Sequence, residues 1–185
     1  MKKIITVLCL SFVTLVGLVG CKGNGEPVYD KNQKVNAGEI AWDVSMGVEY
    51  GNRRLMCKFT NNSKYTITDL EITLRPKKSA SNKEIDELID YICNEYDITG
   101  EDKEYLLEYG DLRMEANIYG WDEEDYLKPG ESATDAMCYY GVYYVMNMDY
   151  YDLFAPDIMT IEFLDENGNE CVTYYDYINK TYTNE

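Results

Sequence analysis

The sequence predicts a mainly β protein, an antiparallel β-sandwich that carries a helical insertion. Three observations predict it. Apolar and polar residues alternate strictly over residues 40–50, a period of two that only a half-buried strand produces. Turn chemistry recurs between such runs, at Gly51-Asn52, Asn61-Asn62-Ser63-Lys64, Pro129-Gly130 and Asn167-Gly168. In one interval, about 79–121, the period changes to that of a helix.

The chain opens with Lys2 and Lys3, an apolar run from Ile4 to Val19, and then Gly20-Cys21. A positive start, a short apolar core and small residues at a cut are the parts of a secretory leader. The apolar run is about 16 residues, broken by Ser11, Thr14 and Gly17, and a membrane-spanning helix needs about 20. Leu18-Val19-Gly20-Cys21 resembles the lipobox of bacterial lipoproteins. That resemblance implies a signal peptide over residues 1–20, cut before Cys21, and a lipid on the Cys21 thiol, palmitate among its acyl chains. The membrane is then a partner through that lipid, and the protein sits on the extracytoplasmic face of the cell membrane. Acyl burial at about 0.8 kcal/mol per methylene makes two or three chains a firm anchor. The polar, glycine-bearing stretch that follows makes residues 21–38 a lipidated cysteine and a flexible tether.

The folded domain is expected over residues 39–185. In the first strand Ile40, Trp42, Val44, Met46, Val48 and Tyr50 form the apolar face, and Gly51-Asn52 turns the chain. Leu55, Cys57 and Phe59 alternate with polar neighbours in a second, antiparallel strand. Leu70, Ile72 and Leu74 mark a third. Ile67 lies on the opposite phase, which predicts a bulge near Thr68.

Phe59-Thr60-Asn61-Asn62-Ser63, followed by Ile67-Thr68-Asp69-Leu70-Glu71-Ile72, resembles a hairpin of immunoglobulin-like extracellular domains. Lys128-Pro129-Gly130-Glu131-Ser132 is similar to a turn that precedes a later strand of those domains. Such domains occur in small bacterial lipoproteins, the FxLYD-like group included. The resemblance implies an immunoglobulin-like sandwich over about half the mature chain and brings no catalytic residues. The FxLYD signature itself is absent.

Within the insertion, Ile85, Leu88, Ile89, Ile92 and Tyr96 fall at helical spacing, with Ser81 or Asn82 as the cap. Thr99 and Asp102 resemble a second helix start, continued by Tyr105, Leu106 and Tyr109 to Gly110. Leu112, Met114, Ala116 and Ile118 alternate as a strand. Further strands are expected over about 132–140, around Met159, Ile161 and Phe163, and, past Asn167-Gly168, over 171–175.

Chemistry is sparse. There is no histidine, which removes Ser-His and Cys-His catalysis and histidine metal sites. With 34 acidic against 17 basic residues the net charge is −17, which disfavours nucleic acid as a partner. Cys57, Cys93, Cys138 and Cys171 are far apart. They either pair as disulfides, in three possible connectivities, or serve as small buried hydrophobes. The run Asp122-Glu123-Glu124-Asp125 reads as a solvated loop, and Asp165–Glu170 lacks the glycine position and closing glutamate of a calcium loop. No cofactor, metal or catalytic residue is expected.

Nineteen tyrosines are the unusual feature, and Tyr139, Tyr140, Tyr143, Tyr144, Tyr150 and Tyr151 crowd one stretch. A tyrosine either fills a pleated surface or offers a flat ring and polar tip to a ligand. These six are therefore the candidate binding face. The functional expectation is a non-catalytic binding or interaction module at the cell envelope, for an envelope protein or a glycan. The alternative is a structural or accessory subunit of a membrane assembly, and a carboxylate-based hydrolase ranks last.

Overall fold

A computed structural model describes residues 26–100, 103, 113–120, 122–140, 143–144 and 147–185. Cys21 and its leader lie outside the described residues, as do Asp102, Tyr105, Leu106, Tyr109 and Gly110 of the expected second helix. The architecture is the expected antiparallel β-sandwich with a helical insertion. In chain order it comprises β1 (Ile40–Glu49), β2 (Asn52–Asn61), β3 (Thr66–Pro76), α1 (Asn82–Glu95), β4 (Met114–Tyr119) and β5 (Ser132–Tyr140). Then come β6 (Tyr143–Tyr144), the one-turn α2 (Met148–Tyr151), β7 (Phe154–Leu164), β8 (Glu170–Asp176) and β9 (Thr181–Asn184).

The strands are ordered β1-β2-β5-β4-β3-β7-β8-β9, with β6 added on β5, and every pairing is antiparallel. One strand belongs to both layers. The first part of β5 pairs with β2, from Ser132 to Met137, and its end pairs with β4, from Cys138 to Tyr140. With β1, β2 and β5 as A, B and E, and β3, β7 and β8 as C, F and G, the B–E and C–F–G neighbours of an immunoglobulin-like sandwich recur.

The core follows the alternation. Val44, Leu55, Cys57 and Phe59 meet Leu70, Ile72, Leu74, Met159, Ile161 and Phe163 in one buried cluster. The β3 ladder shifts register between Ile67 and Asp69, so the expected bulge at Thr68 puts Ile67 back on the buried face with Leu70. Gly120 closes over that bulge: its amide donates to the Thr68 carbonyl at 2.9 Å, and a side chain there would collide with the same oxygen. On β7 the buried Asp157 carboxylate is met by Arg75 of β3 at 2.6 Å.

Both quoted motifs meet in space. Asn61 is fully buried, and its side-chain NH2 donates to the carbonyls of Tyr65 (2.8 Å) and Leu127 (2.9 Å). Its side-chain oxygen accepts from the amide (2.9 Å) and hydroxyl (2.7 Å) of Ser63. The Gly130 amide donates to the Asn61 carbonyl at 2.7 Å, which ties the Pro129-Gly130 turn to the β2–β3 loop. A buried amide whose lone pairs and protons are all used is a strong local constraint.

Two details differ from expectation. The β1–β2 loop is Tyr50-Gly51, because Glu49 pairs with Asn52 and both loop residues have positive φ, 48° and 81°. A two-residue hairpin of this hand needs positive φ at both centres, so Tyr50 is a turn residue and not part of the strand. The second part of the expected 21–38 tether is also docked. The Val28 amide donates to the Tyr175 hydroxyl (3.0 Å), Tyr182 donates to the Val28 carbonyl (3.0 Å), and the Ala37 amide donates to Tyr182 (3.0 Å). Val35, Asn36 and Ala37 are buried, so from Val28 onward the segment is bound to the sandwich.

The insertion begins as read. Ser81 caps α1 in a capping box with Glu84, and Leu88, Ile89, Ile92 and Cys93 form its buried stripe. Beyond it, β4 is an integral strand between β3 and β5, so the helical part is confined to the stretch between β3 and β4.

Candidate functional site

The tyrosine-rich stretch divides between two faces. Register sets Tyr139 opposite Tyr144 and Tyr140 opposite Tyr143. Since neighbours on a strand point to opposite sides, this register sets Tyr139 and Tyr143 on opposite faces of the ribbon. Tyr143 packs on Tyr96, just past α1, with ring centres 5.0 Å apart, and Tyr150 packs on Tyr91 of α1 at 4.9 Å. Tyr151 is half-buried against the core. Tyr143 and Tyr150 therefore seat the helix and its end, at separations where tilted rings attract. Burial, then the nearby Glu87 carboxylate, raises the Tyr150 phenol above its ordinary value.

Tyr139 belongs to the other, outward face of the sheet. The Asn117 side-chain amide donates to the Tyr139 hydroxyl and, at 2.9 Å, to that of Tyr119. Tyr119 is 53% exposed. Register carries this face across the sheet: Glu115 lies opposite Tyr139, Glu71 opposite Asn117 and Asp69 opposite Tyr119. Beyond β3, Glu162 lies opposite Asp69 and Thr160 opposite Glu71, and Tyr174 on β8 lies opposite Thr160. At the usual strand spacing, β4 and β8 are about 14 Å apart, so the tyrosines on this face are spread over an extended, flat surface.

Its electrostatics are those of crowded like charges. Glu71 is shifted above the ordinary glutamate range by burial and then by the Glu115 carboxylate, against a smaller pull from Arg113. Glu162 is shifted up by burial and then by Asp69. Burial and the Glu115 carboxylate hold the Tyr139 phenol far above its usual value, and burial, then Glu71, raises Tyr119. The phenols stay neutral hydrogen-bonding groups, and the carboxylates between them repel one another. What such a face can do is bind: flat rings and polar tips suit sugar rings or a protein surface, and the anionic field favours cationic partners.

Other tyrosines and the acidic loops have local structural partners. Tyr175 and Tyr177 are buried, and Trp42 donates to the Tyr177 hydroxyl at 3.3 Å. Asp122, Glu123, Glu124 and Asp125 are exposed in a turn in which the Asp122 carboxylate accepts from the Glu124 amide at 3.0 Å. Asp165 is occupied by Lys34 (2.9 Å) and by the amides of Asn169 and Asn167, which hold it well below the carboxylate range. Among the described residues no group of three His, Cys, Asp or Glu side chains is arranged to hold a metal. None of Cys57, Cys93, Cys138 and Cys171 forms a disulfide among the described residues, the first three are buried, and burial pushes Cys138 up to about 12.

Asn117, Tyr119, Glu71, Glu115 and Glu162 were not singled out from sequence. Their common signal is the polar phase of β3, β4 and β7, which a local pattern presents as ordinary solvent-facing residues. No protein-family model matches the chain, and neither a curated protein nor a solved structure matches it.

Proposed function

We propose that the chain is a lipid-anchored, extracytoplasmic binding module of the bacterial cell envelope. Its contacts with an envelope protein or a glycan run through the outward face of β5, β4, β3, β7 and β8, and it performs no catalysis. The observation that carries this reading is the Tyr139–Asn117–Tyr119 hydrogen-bonded group set among Glu71 and Glu115 on an open sheet face. Support for the anchor is the Leu18-Val19-Gly20-Cys21 pattern behind Lys2, Lys3 and an apolar run. Support for an immunoglobulin-like extracellular domain is the strand order, together with the joined Asn61 and Gly130 motifs.

The test is photo-cross-linking in intact cells. The full chain carries a photoreactive phenylalanine at position 119, and a second version carries it at position 143, beneath the helical insertion. A discrete adduct at 119 and none at 143 is expected, and a protein or a glycan adduct would say which partner class is bound. Equal labelling at both positions, or none at 119, would sink the sheet face as the binding surface. Cys21→Ala in the same cells should move the chain out of the membrane fraction, and unchanged fractionation would overturn the anchor.

A further inference from the structure

The core-facing stripe of the β1–β2 pair does not end where the core ends. On β1 it runs Ile40, Trp42, Val44, Met46, Val48, and on β2 the residues opposite are Asn61, Phe59, Cys57, Leu55 and Arg53. Leu55 and Val44 are buried and Met46 is half-buried, but Val48 is 69% exposed and Arg53 is exposed beside it. At this place Tyr91 comes from α1, and Asn147 and Met148 come from the start of α2. Met46, Arg53, Tyr91, Asn147 and Met148 line an open cavity of about 410 Å³. That size lies within the roughly 300–1,000 Å³ of small-molecule sites.

The lining has a definite chemistry. Two thioethers and an aromatic ring form a soft apolar wall that adapts to chain-like hydrocarbon. Arg53 has no ion-pair partner among the described residues, although the chain carries 34 acidic side chains. The Asn147 side-chain oxygen is already taken by the Asp149 amide at 3.0 Å, which leaves its NH2 as the group to donate. A guanidinium prefers a planar, bidentate acceptor, and a carboxylate meets that geometry. The polar groups thus ask for one acceptor-bearing anion and the rest of the wall asks for an apolar body.

We propose that this open end of the sandwich binds a hydrocarbon monocarboxylate, with its chain against Met46, Tyr91 and Met148 and its carboxylate on Arg53. The site is separate from the outward sheet face and does not depend on what that face binds. A chain of net charge −17 repels anions at long range, so the apolar contacts must supply much of the affinity, and short carboxylates are excluded.

The experiment follows the methyl resonances of Met46 and Met148 in the full chain during titration with decanoate, decanol and acetate. Decanoate should shift both methyls saturably, decanol should bind at least about tenfold more weakly, and acetate should leave them unmoved. Arg53→Gln, at an exposed position, should lower decanoate affinity about tenfold and leave decanol unchanged. No saturable shift with decanoate, equal affinity for decanol, or an unaffected Arg53→Gln protein would each overturn the proposal.

Discussion

At one end of the β1–β2 pair Ile40 faces Asn61 inside a closed core; at the other, Val48 faces Arg53 in the open. Both pairs lie on the same face of the same two strands, in the same unbroken register. The alternation that selects the face is therefore equal at the two ends, and the burial is not. What differs is the cover. Near Asn61, Tyr65 and the segment from Leu127 to the Pro129-Gly130 turn converge from two parts of the chain. Near Val48, α1 and α2 approach only as far as the cavity wall. A strand's periodicity assigns sides, and long-range packing decides which stretch of a side becomes core.

Asn61→Ala should break the closed end most severely. It removes four buried hydrogen bonds, on the order of 1 kcal/mol each, so a loss of about 4 kcal/mol is expected. Urea unfolding would report it as a lowered midpoint at an unchanged slope. Val48→Ser at the open end, measured the same way, should stay within about 0.5 kcal/mol. Similar losses at both ends would remove the distinction drawn between them.

The same contrast marks what could be read in the chain. Val44, Cys57 and Phe59 announce their burial by phase, Ile67 and Leu70 announce the bulge by a change of phase, and the polar pair Ser81-Asn82 announces the start of α1. Each of these signals lies within a few residues. The division of β5 between two layers does not, because it depends on β2 and β4 lying on either side of it. Nor does the docking of Val28 and Ala37, whose polar surroundings read as tether until Tyr175 and Tyr182 supply the partners. The candidate site suffered most. The six crowded tyrosines were visible as composition, but only the pairing of β5 with β4 and β6 separates Tyr139, beside Asn117 and Tyr119, from Tyr143 and Tyr150 beneath α1.

Inside and outside of the larger layer offer a second form of the comparison, tunable by pH. Glu71 and Glu162 hold their protons more tightly folded than unfolded, so above the ordinary glutamate value of 4.5 the folded state binds the extra proton. Stability from these groups therefore falls as pH rises through their raised pKa values, and at neutral pH the burial of their charge, then repulsion by Glu115 and Asp69, opposes folding. Glu71→Gln and Glu162→Gln should each raise the melting temperature at pH 7. The gain should vanish near pH 4, where the native carboxyls carry the proton themselves. A gain independent of pH, or a loss at pH 7, would mean that burial and repulsion on this face do not shift these groups upward.

The smallest expected effect probes the open end at its tip. Tyr50 sits in the hairpin turn at φ 48°, is 87% exposed, and is followed by Gly51 at φ 81°. A side chain branched only beyond its β-carbon tolerates this conformation at a cost, and asparagine adopts it more readily because its short polar group bonds locally. Asn-Gly is the favoured pair for such a turn. Tyr50→Asn should thus stabilise the protein by about 0.5 kcal/mol, visible as a small upward shift in the urea midpoint. Were Tyr50 instead covering core, its loss would cost well over 1 kcal/mol. The sign of this one substitution therefore decides whether the apolar stripe of β1 ends in solvent or under a cover, which is the premise on which the cavity beside Val48 and Arg53 is open to a ligand.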